Sequence, residues 1–385
     1  MKNNNSGILA LLRKNTVRNV ICLVLSAAVL IATGCHFYWF RHYEEVIIPG
    51  AGVTSTFQLS EYFPELEGTY GDTTVYVLEG EEPGGSMLVL GGTHADEIAG
   101  HMAAITLIES ATVTKGTLYV IPRTNNSAYT HTYPQEASPE IVHIETNSGT
   151  REFVYGSRAT NPLDQWPDPD IYIHASSGQT LSGNETRNLN RAYPGVATGN
   201  LTEQIAYAVT NLITEKNITM TIDLHEASPE YPNINSTVSH QDALSVVALG
   251  AIDLDLDGVS MRVEESPTTL HGLTHRELGD YTDTLALLME TANPCQGRLR
   301  GATNEALAIT GIDPCYEKAA ELGYLYIDYD ETGVSLEERV ARDLASINVY
   351  ANACASLYGS EGMVTIEGMP SYDELCNGNL GDWLN

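Results

Sequence analysis

Positive charge is scarce in this chain: 385 residues hold 19 Lys and Arg against 50 Asp and Glu, a formal net charge of −31. Five of the 19 (Lys2, Arg13, Lys14, Arg18, Arg41) fall in the first 41 positions, leaving 14 to face all 50 acids. Such a surface repels phosphate backbones, which excludes nucleic acid as a partner. CxxC spacing is missing from the six cysteines, so no thiolate metal cluster is written into them. Cys22 and Cys35 belong to an apolar N-terminal segment. Cys295, Cys315, Cys354 and Cys376 remain, an even number open to three disulfide pairings or to four free thiols. Internal repeats and low-complexity tracts are lacking as well, and 43% apolar content is that of a globular protein.

Acidic residues are absent from the first 41 positions, and every charge is absent from Asn19 to Phe40. At about 1.5 Å per helical residue those 22 positions just span a hydrocarbon core of roughly 30 Å. Lys2, Arg13, Lys14 and Arg18 precede the segment, and Glu44 and Glu45 follow it. The positive-inside rule then leaves residues 1–18 in the cytoplasm and the remainder outside. Phe37, Tyr38, Trp39 and Phe40 would form an aromatic belt at the outer interface. A single-pass signal anchor over 19–40 is the favoured reading. Ala32-Thr33-Gly34-Cys35 resembles a lipoprotein cleavage box, and an ordinary cleaved signal peptide is the third reading. All three export the protein. A buried core helix would not explain the charge asymmetry.

Residues 41–70 read as a spacer with a leading strand. Short apolar runs at Thr73–Leu78, Ser86–Leu90, Thr117–Ile121, Thr219–Leu224 and Thr284–Met289 predict strands. Helical spacing predicts helices over His94–Ser110, Thr202–Lys216 and Gln241–Ile252, and a last long one after the capping sequence Ser335-Leu336-Glu337-Glu338. Arg123 to about Ser182 is rich in Thr, Asn, Pro, Tyr and Gly, and sixty irregular residues inside a domain usually form functional loops. Alternating strands and helices over 71–357 imply an α/β layer fold with a largely parallel sheet, leaving 358–385 as a C-terminal tail.

Four short motifs fall just past strand ends, where such a sheet places its active site. In Gly91-Gly92-Thr93-His94-Ala95-Asp96-Glu97 the glycines allow a tight exit from the strand. His94 and Glu97, three apart, would face one way on a first helical turn, and an imidazole with a carboxylate suits Zn²⁺. In Thr221-Ile222-Asp223-Leu224-His225-Glu226, strand alternation points Asp223 and His225 away from the apolar pair. His225 is then a third ligand, with Asp223 its orienting partner. Asn188-Leu189-Asn190-Arg191-Ala192-Tyr193-Pro194-Gly195 holds Arg191 in a Pro-Gly turn, where its fork could clamp a carboxylate or a developing oxyanion. The apolar strand ending in Glu290 is costly for a carboxylate unless that group is employed, as a general base for instance.

Taken in order, these motifs resemble the zinc-carboxypeptidase superfamily, and most of all its succinylglutamate desuccinylase/aspartoacylase branch, over roughly residues 73–355. The resemblance implies a three-layer α/β fold with a mostly parallel mixed sheet flanked by helices. It implies one Zn²⁺ on His94, Glu97 and His225, with Glu290 as general base and Asn190 and Arg191 binding substrate. The reaction it implies is hydrolysis of an amide bond in an N-acyl amino acid or peptide. Two features depart from the branch. Residues 316–357 look helical where the branch is strand-rich, and its other substrate arginines have only Arg158, Arg187 and Arg276 as candidates here. An exported carboxypeptidase or cell-wall peptidase shares every catalytic residue and stays open. A non-catalytic, zinc-stapled envelope binding protein is the third possibility, although structural zinc usually has four protein ligands and no spare base.

Overall fold

The computed structural model describes residues 4–133 and 138–385. The chain divides into two units, Met1–Glu44 and Glu45–Asn385. In the first, helix α1 (Asn4–Arg41) contains the stretch Arg13–Arg41, long and apolar enough to cross a membrane. The segment 1–18 read as N-terminal belongs to this helix from Asn4 on; residues 1–3 lie outside the described residues.

The second unit begins with β1 (Ser55–Gln58), β2 (Thr74–Glu79), β3 (Glu82–Leu90), α2 (Ile98–Ser110) and β4 (Thr112–Ile121). Two hairpins follow, β5 (Ile141–Thr146) with β6 (Gly149–Val154), and β7 (Ile171–Ile173) with β8 (Thr180–Ser182). Next come α3 (Leu201–Lys216), β9 (Met220–Ala227), β10 (Ser236–Ser239), α4 (Leu244–Leu256), β11 (Arg262–Glu265), α5 (Thr274–Tyr281) and β12 (Leu285–Ala292). The chain closes with α6 (Glu305–Thr310), α7 (Pro314–Glu321), α8 (Leu336–Tyr358), β13 (Thr365–Glu367) and α9 (Tyr372–Cys376).

One mixed sheet is ordered β1-β2-β4-β3-β9-β12-β10-β11, with β13 also on β4. Its centre, β4-β3-β9-β12, is parallel, while β1, β2, β13 and β10 join by antiparallel pairings. Successive side chains of a strand leave opposite faces. Met87, Val89, Ile222 and Leu224 therefore enter one core with α2, α4 and α8, while Leu88 and Leu90 enter a second with α3. Burying each such side chain contributes roughly 1.5–3 kcal/mol, which holds the three layers together. The parallel centre aligns the C-terminal ends of β3, β9 and β12, and the motifs converge there.

Several elements differ from the sequence reading. The helix expected from His94 starts only at Ile98, and Glu97 takes the non-helical cap position. The reason is local: Ala95 N donates to Ser157 O and Ala95 O accepts from Gly156 N, so the backbone before Ile98 is already engaged. Gly92 has a φ of 64° and lies so close to Pro122 O and Tyr129 that a side chain would collide. The irregular stretch 123–182 contains the two hairpins. The spacer read over 41–70 belongs to the second unit from Glu45 on, with Leu59 and Leu66 buried and β1 paired to β2. The tail 358–385 adds β13 and α9 and buries Val364, Ile366, Leu375 and Leu380, so the domain read as 71–357 extends to both sides. Ser335 caps α8 through Glu338 N, but the Glu338 carboxylate pairs with Arg342 instead of closing the capping box. All six cysteines are free thiols.

Candidate metal and catalytic site

His94 and Glu97 stand on the loop after β3, and His225 near the end of β9, its neighbour in the sheet. All three are buried. His94 Nδ1 lies 2.8 Å from Glu97 Oε1, His225 Nδ1 lies 2.8 Å from Glu97 Oε2, and the two Nδ1 atoms are 3.2 Å apart. One donor atom from each of the three lies within 4.8 Å of the others, close enough to meet on one metal ion.

The far ring nitrogens decide the tautomers. Asn188 Oδ1 sits 2.9 Å from His94 Nε2, and Asp223 Oδ2 sits 2.8 Å from His225 Nε2. Both oxygens accept, so each Nε2 carries the hydrogen and each Nδ1 turns its lone pair inward. Asp223 is itself held by the hydroxyls of Thr93 and Thr274, both at 2.8 Å. Lone pairs from two imidazoles and a carboxylate so close together need a cation or protons between them. Burial and then the Arg158 guanidinium lower the His94 pKa to about 4. Burial raises Glu97, but the two imidazoles outweigh it and hold its carboxyl well below the usual range. Burial lowers His225, yet Asp223 and Glu97 outweigh it and raise its pKa. The donor set fits a divalent cation, and all three residues border a cavity.

That cavity, of about 460 Å³, is lined by the triad together with Glu290, Asn190, Arg191, Arg158 and His275. Glu290 of β12 is in register with His225 across the parallel pairing. Burial pushes its carboxyl up to about 8; the His225 charge opposes this and the Glu97 charge adds to it. Arg191 Nη1 donates to Asn190 O at 2.6 Å, and its Nε lies 3.8 Å from Glu185 Oε2. Asn190 is fixed by accepting Thr274 N at 3.0 Å. The sequence-predicted residues therefore meet at one cavity.

Of the three candidate arginines, only Arg158 reaches this cavity, with Nη1 3.6 Å from Glu97 Oε1. Arg187 is committed to Asp168 and Arg276 to Asp280. Glu226, next to His225, also borders the cavity, but its carboxylate is occupied by Arg339, Ala99 N and Asn293. Sequence reasoning missed Asn188 as the orienting group of His94, although it opens the quoted turn. It also missed His275, whose Nδ1 lies 2.7 Å from Ser266 Oγ. Asn188 acts on a residue 94 positions away, which no local pattern marks.

No family model matches this chain, and no curated protein matches it. Solved structures do. The ectoine utilization protein EutE of Ruegeria pomeroyi is 18% identical with a TM-score of 0.35, over 57% of this chain and 53% of that one. A succinylglutamate desuccinylase of Silicibacter sp. TM1040 is 15% identical with a TM-score of 0.35, over 59% and 55%. The tripeptide-bound cell shape determinant Csd4 of Helicobacter pylori is 11% identical with a TM-score of 0.45, over 78% and 58%. The chain thus spans between a half and three-fifths of the length of these three structures. A desuccinylase, the kind of protein the motifs resemble, is among them. Likeness at this level carries no argument about activity, which has to come from the residues.

Proposed function

We propose that this chain is a zinc-dependent hydrolase that cleaves an amide bond of an N-acyl amino acid or a peptide. The observation that carries the reading is the convergence of His94 Nδ1, Glu97 and His225 Nδ1 at the end of a cavity that also holds Glu290 and Arg191. A bound Zn²⁺ would supply Lewis acidity toward the scissile carbonyl and lower the pKa of water. His94, Glu97 and His225 would hold it, with Asn188 and Asp223 keeping the imidazoles aimed. Glu290, in its carboxylate form, takes the proton of the attacking water and returns it to the leaving amine. Arg191 and Arg158 both line this cavity, and burial and then Arg158 draw the Arg191 pKa down. Two guanidiniums lining the cavity that the metal ligands border favour a substrate that brings a carboxylate.

In this reading Asn19–Phe40 anchors the chain in a membrane, and the second unit works outside the cytoplasm on small acylated amino acids or peptides. The test is a hydrolysis screen of the full chain in detergent, with stoichiometric zinc, against N-acyl amino acids and short peptides. Release of free amine that stops on chelation and returns with zinc supports the reading. Zinc uptake without turnover of any substrate would leave a stapled binding protein in its place. The preferred substrate separates a deacylase from a carboxypeptidase or cell-wall peptidase.

A further inference from the structure

Glu226 follows His225 on β9, so its side chain leaves the opposite face of the sheet. There it is fully buried and fully used. One carboxylate oxygen accepts from Ala99 N and from Asn293 Nδ2, both at 3.0 Å, and the other accepts from Arg339 Nη1 at 2.6 Å. The Glu226 backbone N donates to Glu97 Oε2 at 3.1 Å. Ala99 is the second residue of α2, two beyond Glu97, and its N–H is one of the helix's first amides, which lack intrahelical partners. Asn293 follows β12, three residues beyond Glu290. A single side chain therefore ties together the backbone segments that carry Glu97, His225 and Glu290.

Arg339 holds that side chain from behind. It is 1% exposed, sits on α8, and also donates to the carbonyls of Ala308 and Ser335. Taking two charges out of water is costly, and an apolar pair of similar volume would pack these layers as well or better. What the ion pair supplies is direction. It fixes a carboxylate at the start of α2, where negative charge is favoured by the helix dipole, and with it the distance between Glu97 and His225.

We propose that Glu226 and Arg339 form a positioning pair that sets the spacing of the metal ligands from the far side of the sheet. The inference rests on the metal reading above. Its test measures zinc affinity by chelator competition on the metal-stripped full chain. Glu226→Leu with Arg339→Met removes both charges together and leaves Ala99 N without its acceptor; zinc Kd should rise about 10–100-fold. Glu226→Gln with Arg339→Met restores an oxygen for Ala99 N and should recover most of that loss while staying measurably weaker than wild type. Arg342→Met, which breaks an ion pair further along α8, should lower thermal stability and leave zinc Kd alone. A wild-type Kd in whichever double variant folds, or the same loss in Arg342→Met, overturns the proposal. A wild-type chain with no zinc affinity overturns the metal reading, and this inference with it.

Discussion

Asp223 Oδ2 lies 2.8 Å from His225 Nε2, and the two residues share one face of β9, two positions apart. The carboxylate therefore fixes the imidazole tautomer from within the same strand. Replacing Asp223 by Asn keeps the shape, but it removes the negative charge and can present an N–H where an acceptor is needed. Asp223→Asn should weaken zinc about 10–100-fold, as read by chelator competition. An unchanged Kd would mean that the ring is held by packing alone.

One zinc per chain is expected after metal-limited purification, measured by elemental analysis. His94→Ala and His225→Ala should each lose it, since two protein ligands are too few for a tight site. Binding to the folded chain alone stabilises it by about 2.7 kcal/mol at a hundredfold excess over Kd. Chelation should accordingly lower the melting temperature of the wild type and barely move that of the alanine variants. A melting point indifferent to chelator in all three would remove the site.

Glu290→Gln spares the ligands and removes the base. Zinc content should stay at one per chain while kcat falls by about 10²–10⁴-fold. The pH profile gives a second readout. Burial raises the Glu290 carboxyl to about 8 in the cation-free site, and a bound cation nearby pulls it lower. The base works only when deprotonated, so kcat/KM should fall with decreasing pH, with a midpoint below 8, and Glu290→Gln should lose that limb. If the variant kept both its rate and its acid limb, another group would be the base.

The central strands could be read from the sequence because apolar runs such as Leu285–Met289 are long and closed by a polar residue with a reason to be there. His225 and Glu290 stood out as polar groups ending buried strands, and the structure puts them side by side. The start of α2 was misread because helical spacing continues smoothly from Ile98 back to His94, while what stops the helix is Ser157, more than sixty residues away. The strand expected within 41–70 is β1, whereas β13 has three residues, too few to show a period. Asn188, Glu226 and Arg339 act through contacts between segments distant in sequence. No local pattern marks such contacts, and a buried Arg339 in an amphipathic helix looks like any surface arginine until its partner is known.

Arg191 carries the last prediction, because its role separates two chemistries. Its guanidinium lines the cavity, donates to Asn190 O and lies 3.8 Å from Glu185. If the fork grips a substrate carboxylate, that charge-assisted pair is partly desolvated and its loss costs more than at the surface. Lys keeps the charge and loses the two-pronged geometry, so Arg191→Lys should be badly impaired and Arg191→Ala worse. The loss in kcat/KM should be large for substrates with a free α-carboxylate and small for the matching amides. An arginine that stabilises the tetrahedral oxyanion would instead weaken both substrates alike, because that charge develops in either case. Arg158, in the same cavity, supplies the contrast: its Nη1 lies 3.6 Å from Glu97 Oε1, so Arg158→Ala should also disturb zinc affinity. Equal losses on acid and amide would move Arg191 to the oxyanion role, and no loss on either would make it an ordinary arginine in a turn.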